Sequence, residues 1–531
     1  MSKDNAKDRA DFPRRRFLKL TGATAGAAAL PISQVDAASS DSITTQSISN
    51  PDSSSTYYVG SPSAKPGSAG AGEIYFDRYT GAKWYYDGGW KQINSVTNGH
   101  EINVITEGAD PGGSNSFIDT LESIVQDEPN PQIFVPEGNY RIDRAFNYTD
   151  FDHFSLVGEP GTRFVVDSGY TGTVFNLGST NGGKVLRLSD FVIDVSASNC
   201  GPRPLAAFAQ EHLELRNITL EGRLDADPDS NNIIYPAVTT ERGYGRIENL
   251  RMPDGSQKFA SSLTNNPTAI SIEGSHVGTL EIVGSYIARF PNNGIYAKRN
   301  ATRKGQVNIH DCFLRNVGLT SLRLNDEDTA TNCRILYDDN IAESWSSQAL
   351  WPQKGGTFRN IEITNNYSNN SMIRGTESEE GAELYNITVN IGSGVTSPAI
   401  LQRDGIDTGP LYINGLVVRD DVSDGSFVIT FNHSRVTIVN SEIDTNRRGI
   451  YVASAADDFK MENVSIDGDA TTVVGLNGDR STILNNTVRG GRIAVNGVAH
   501  TQVEWNDADV DDNSTPSSTR VAHNYTSGAS L

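Results

Sequence analysis

A short pattern returns about a dozen times between Leu188 and Trp505, and it limits the fold more than any other feature. It reads apolar, any residue, Asn, any two residues, apolar. Copies include Leu215-x-Asn217-x-x-Leu220, Ile247-x-Asn249-x-x-Met252, Leu384-x-Asn386-x-x-Val389, Ile438-x-Asn440-x-x-Ile443, Met461-x-Asn463-x-x-Ile466 and Ile483-x-Asn485-x-x-Val488. Asp190, Asp311 and Asp338, or Gly284 and Gly415, stand in the polar slot of variants. Asn360 or Asn365 fills it in another copy, and the last copy is degenerate at Trp505. Successive copies lie roughly 20 to 35 residues apart, the period range of solenoids.

Each copy reads as an alternating strand, a polar corner and a second short strand, and most are followed by a third, such as Gly294-Ile295-Tyr296-Ala297 or Gly449-Ile450-Tyr451-Val452. A single coil of about 25 residues has no second layer to cover its apolar side. Stacked on neighbours at about 4.8 Å, it buries that side. Helical repeats would show a period of about 3.6, and the longer leucine consensus of leucine-rich repeats is missing. The expected fold is therefore all-β, a right-handed parallel β-helix solenoid. Its Asn column is expected to point inward as a ladder of amides, which would withdraw the sequons at Asn217, Asn386, Asn463 and Asn485 from glycosylation. Asn300, Asn366, Asn369, Asn432, Asn513 and Asn524 remain as glycan acceptors.

The chain of 531 residues carries a formal charge of −21, which argues against nucleic acid or an anionic membrane as partner. An acidic, lysine-poor composition resembles that of proteins from salt-loving archaea, and a solvated surface of this kind accounts for most carboxylate clusters. The three cysteines, Cys200, Cys312 and Cys333, include no CxxC pair, which excludes a structural zinc site or a dense disulfide framework. They read as small buried thiols. A disulfide between Cys312 and Cys333 on neighbouring coils is the geometric alternative.

In chain order, residues 1–37 read as an export signal. Arg14-Arg15-Arg16-Phe17-Leu18-Lys19 matches the twin-arginine motif, a short apolar run follows, and Val35-Asp36-Ala37 resembles a cleavage site. The mature chain is expected to be secreted or cell-surface associated, with no membrane span. Residues 38–71 read as a flexible linker. Residues 72–95, with alternating aromatics between Thr80-Gly81 and Asp87-Gly88-Gly89 turns, read as a small aromatic β-meander similar to modules of phage tail fibres. Its aromatics serve either as a sugar-binding surface or as the module's own core.

Residues 100–150 read as an N-terminal cap with a helix from about Ser116 to Gln126, residues 151–512 as the solenoid, and 513–531 as a disordered tail. Gly108-Ala109-Asp110-Pro111-Gly112-Gly113, the amphipathic helix, and Phe134-Val135-Pro136-Glu137-Gly138-Asn139-Tyr140 together resemble the opening of pectate-lyase-like β-helix domains, tailspikes included. That resemblance implies a helix closing the end of the solenoid. It also implies a polysaccharide or cell-surface glycan as partner, and allows a homotrimer.

Aligning the third strand of each coil places Tyr296, Arg323, Trp351 and Arg374 in one outward column, flanked by inward Leu324, Leu350 and Ile373. Three coil steps span about 14 Å, close to about three sugar residues. Aromatic faces suit the C–H face of a sugar and Arg suits a uronate or sulfate, so these four are the expected substrate-binding residues. The following turns supply Asp326, Glu327, Asp328, Glu377, Glu379, Glu380 and Asp404. From these, Glu377 and Asp404, with Arg403, are the candidate catalytic residues. Carboxylates one or two coils apart bracket glycosidase spacings. A uronate lyase would need a proton acceptor with Arg, Lys or Ca²⁺ to hold the developing anion, so Ca²⁺ is an open possibility, with no cofactor and no dedicated metal site otherwise expected. The polygalacturonase motifs Asn-Thr-Asp, Gly-His-Gly and Arg-Ile-Lys are absent. His433 is a lone candidate base. Two functional readings stand: an exported glycoside hydrolase or polysaccharide lyase, or a non-catalytic glycan-binding adhesin or tailspike-like structural protein.

Overall fold

A computed structural model describes residues 101–261, 265–297, 305–339, 347–368, 370–514 and 519–525, together with the backbone of four strands nearer the N-terminus. The expected export signal, Asn300 and Asn369 lie outside the described residues. The four early strands, Tyr57–Gly60, Ile74–Asp77, Lys83–Tyr86 and Trp90–Gln92, form their own sheet. The first two run parallel and the remaining neighbours antiparallel. The module therefore begins inside the stretch expected to be a linker, because Tyr57–Gly60 pairs with the first strand of the meander.

The second unit links 39 strands in one continuous, parallel-paired sheet that winds into a solenoid. Successive coils contribute strands to three faces, and each face is a column of strands in register. The first face runs, for example, through Leu215, Ile247 and Ile282. The second runs through Ile363, Val389 and Val418, and the third through Ile295, Leu322 and Leu350. These residues are fully buried and stack on their equivalents above and below, giving a continuous apolar interior.

The repeated Asn sits at the corner between the first and second faces. It takes a left-handed backbone, with φ of 52° at Asn217, 53° at Asn249 and 51° at Asn440. Asn tolerates this conformation better than most residues. The turn aims its side chain outward, which corrects the expected inward ladder: the amides are exposed. They bond along the outside, Asn217 Nδ2 donating to Asp190 Oδ1 at 2.7 Å, Asn249 to Asn217 at 2.9 Å and Asn463 to Asn440 at 2.7 Å. Asn360 rather than Asn365 holds its corner, and Asn332 rather than Asp338. Where Gly415 stands, the preceding Asn414 supplies the amide. A Cβ at Gly415 would lie 2.7 Å from Asn386 Oδ1.

A second, interior ladder begins one residue later on the final coils. Asn486 Nδ2 donates to Asn506 Oδ1 at 3.0 Å and Asn506 to Asn524 at 2.9 Å. Asn524 is thus engaged inside the fold rather than presented as a glycan acceptor. The strand Arg520–Ala522 pairs with Gln502–Glu504, so the solenoid continues past residue 512 into the stretch expected to be a disordered tail.

The N-terminal end is closed by the helix Phe117–Asp127, whose Phe117, Ile118, Leu121 and Ile124 are buried. Phe117 meets Tyr140 at 5.0 Å and Phe164 at 5.2 Å between ring centroids. The turn before it is tied by Asp110, which accepts from the backbone N–H of Gly112, Ser114 and Asn115; those bonds lower its pKa. Pro111 packs against Gly138, where a Cβ would come within 2.6 Å of Pro111 Cβ, so the two motifs of the cap require each other. Residues 132–148 already form strands of all three faces, so the stretch expected as cap includes a complete coil.

Candidate functional site

The third face carries Tyr296, Arg323, Trp351 and Arg374 on successive coils at matching positions. The backbone register pairs Tyr296 with Arg323 and Arg323 with Trp351, and Arg374 follows Ile373, the partner of Leu350. The side chains interleave as planar groups. The Arg323 guanidinium lies 4.4 Å from the Tyr296 ring and 3.9 Å from the Trp351 ring, and that of Arg374 lies 3.7 Å from Trp351. Arg323 comes from the coil before Trp351 and Arg374 from the coil after, so the two guanidiniums cover the two faces of the indole.

This arrangement changes the role expected of the tryptophan. Trp351 is only 9% exposed, and its faces are occupied by cations instead of being open to a sugar. Arg374 is withdrawn as well: it is 1% exposed and pairs with the fully buried Asp407, Nη2 to Oδ1, at 2.6 Å. Burial lowers the pKa of both Arg323 and Arg374. The four residues form a rigid stacked rail. The groups free to meet a ligand stand on the turns at its edge.

Those turns join the third face to the first face of the next coil. Gln353 accepts from Arg323 Nε at 2.8 Å and donates to Glu377 Oε2 at 3.5 Å. Lys354 Nζ lies 3.1 Å from the same Glu377 oxygen. Arg403, half-exposed, stands 6.0 Å from the Trp351 ring; its Nε lies 4.0 Å from Asp407 Oδ2, which also accepts the Arg403 backbone N–H at 2.9 Å. The structure therefore gathers Glu377, Lys354, Gln353 and Arg403 along the rim above the rail.

Other candidates are not gathered there. The Asp404 side chain is 90% exposed and its nearest ion partner is His433 Nε2 at 3.8 Å, so nothing desolvates it as a general acid requires. His433 Nε2 accepts the Gly405 backbone N–H at 2.9 Å, so this nitrogen is already engaged by the loop. Asp328 is fully buried and holds a turn, accepting from the backbone of Val307 and Asn325. Among the described residues no group of three or more His, Cys, Asp or Glu side chains is disposed to hold a metal ion.

Sequence reasoning missed Asp407, Gln353 and Gln402. Gln402 is fully buried, accepts the His433 backbone N–H and fixes the loop that carries Arg403. One signal for Asp407 was available. On the coil after Arg374 the column continues to apolar Leu401, so a buried guanidinium had to find its carboxylate in the adjoining loop. Gly375 makes room, since a Cβ there would lie 2.8 Å from Asp407 Cβ.

No family model and no curated protein matches this chain. Several solved structures do. The A-module of the mannuronan C-5 epimerase AlgE4 of Azotobacter vinelandii is 12% identical, with TM-score 0.33, covering 81% of this chain and 100% of its own. The catalytic unit of a GH87 alpha-1,3-glucanase from Streptomyces thermodiastaticus is 14% identical, with TM-score 0.35, covering 81% and 72%. Tailspike protein 3 of bacteriophage CBA120 is 10% identical, with TM-score 0.38, covering 82% and 65%. At this level the likeness concerns the winding of the chain and says nothing of what this chain does.

Proposed function

We propose that the protein binds an acidic polysaccharide along the rim where the third face turns into the first. The observation that carries this reading is the rail itself. Four successive coils hold planar groups in one line, and the rim above it carries Lys354 and Gln353 against Glu377, with the Arg403 guanidinium 6.0 Å from the Trp351 ring. The line spans about 14 Å, enough for about three sugar units. Cations on a chain of net charge −21 mark where an anionic guest would be tolerated. Carboxylate or sulfate groups of the guest would meet Arg403 and Lys354, and its hydroxyls would meet Gln353 and Glu377. A rigid support lowers the ordering cost of such contacts.

Turnover is a second reading, favoured by Glu377 lying 3.1 Å from Lys354. In a lyase the carboxylate would accept the proton next to the uronate carboxyl while the cation neutralises the developing charge. A secreted or surface setting, reached through the twin-arginine-like segment at residues 14–19, fits both readings.

Calorimetry against uronic-acid, sulfated and neutral polysaccharides tests the proposal. Arg403→Ala with Lys354→Ala is expected to weaken binding of the acidic polymers by about tenfold or more, the effect of losing charge-assisted hydrogen bonds. Equal affinity for neutral polymers, or unaltered affinity in the double variant, would falsify the acidic-glycan reading. Unsaturated ends that vanish in Glu377→Gln would establish a lyase, and binding without new ends would establish a binding protein.

A further inference from the structure

Cys312 and Cys333 hold the same position on adjacent coils, each directly after a left-handed corner residue, Asp311 and Asn332. Register is fixed on both sides of the pair: His310 opposes Thr331 before it and Phe313 opposes Arg334 after it. The Arg334 backbone N–H donates to the Cys312 carbonyl at 2.9 Å, which locks the two corners together. Strands paired this way lie about 4.8 Å apart, within the Cα separation that a disulfide spans. Both side chains face the interior, 1% and 2% exposed. In the structure both are thiols, Cys312 Sγ lying 3.3 Å from the His310 carbonyl and Cys333 Sγ 3.4 Å from that of Thr331.

We propose that Cys312 and Cys333 are a redox pair that closes to an intercoil disulfide, stapling neighbouring turns of the solenoid from inside. The position is the one that Asn486, Asn506 and Asn524 use for the interior amide ladder, where side chains of successive coils meet directly. The sulfurs likewise interact with each other. The neighbouring Cys333 thiol, together with burial, raises the pKa of Cys312. The step is a two-electron oxidation. Both S–H bonds are lost, one S–S bond forms, and the two protons and two electrons pass either to dioxygen, giving hydrogen peroxide, or to a small disulfide, giving two thiols. Cys200 has no such neighbour. Burial pushes its thiol up to about 12, so it serves as an internal control.

Two measurements on the full chain test this. Protein refolded with oxidised glutathione is unfolded in denaturant and its thiols counted, then compared with a sample reduced beforehand. The expected result is loss of both thiols of the pair, with Cys200 still free and an intact mass lower by about 2 Da. Tryptic digestion without reduction should then yield one species joining peptide 305–315 to peptide 324–334. Cys312→Ser is expected to leave Cys333 titrating as a free thiol, which separates an intercoil bond from capture of glutathione. Three free thiols in the folded, glutathione-treated chain, or a mixed disulfide on either cysteine in its place, overturns the proposal.

Discussion

His153 lies on the first face, 7% exposed, with its Nδ1 unpartnered. Burial, with lesser pressure from Arg187 and His212, pushes its pKa down to about 4 from 6.5. The unfolded chain therefore takes up this proton first, and acid favours unfolding. The contribution is complete above pH 6.5 and is lost as pH falls toward 4, roughly 3 kcal/mol over that window. Urea unfolding of the parent and His153→Gln across this range should show a shallower slope of stability against pH in the variant. Parallel slopes would mean that His153 is solvated when folded. Charged residues elsewhere obey the same rule: Arg447 and Asp420, both buried, pair at 2.7 Å, and Arg447 also donates to Ser426 Oγ at 3.0 Å. In this pair the buried guanidinium and carboxylate neutralise each other.

At the scale of elements, the helix Phe117–Asp127 does what no coil can do for itself. It covers the apolar end of the first turn, with Phe117 packed between Tyr140 and Phe164. Phe117→Ala should cost about 3–5 kcal/mol, the usual penalty for emptying such a site. Coils in a solenoid couple chiefly to their neighbours, so the loss should be local. Hydrogen exchange is expected to speed up over residues 132–148 and stay unaltered over residues 460–496. Equal acceleration at both places would show that the solenoid opens as one unit. The faces and corners were legible in the sequence because one polar residue per coil interrupts two alternating strands, and only stacking satisfies that rhythm. The outward column of Tyr296, Arg323, Trp351 and Arg374 was legible for the same reason. Its chemistry was not. Alternation tells that Trp351 leaves the core, but not that guanidiniums from the coils on either side would cover both its faces. Asp407 lies in the irregular loop after Arg403, where no period applies.

For the molecule as a whole, the chain carries a formal charge of −21, and its self-repulsion opposes compaction. Neighbouring charges already offset part of it, as in Arg246 with Glu281 at 2.8 Å and Arg480 with Asp458 at 2.8 Å. Salt should offset the rest: raising NaCl from about 0.1 M to about 2 M shortens the screening length severalfold and should raise the thermal midpoint by several degrees. A midpoint that is flat or falls over this range would mean that repulsion is not a significant term. The winding of the chain also has a consequence for ancestry. Asn440, Asn463 and Asn485 occupy equivalent corners, and Ile438, Met461 and Ile483 equivalent interior places. A gene segment encoding one such turn can be duplicated or excised, and the turns on either side of the seam still meet a matching surface. Overall length is thus a heritable dial, free to lengthen or shorten the rail's supports without redesigning either end.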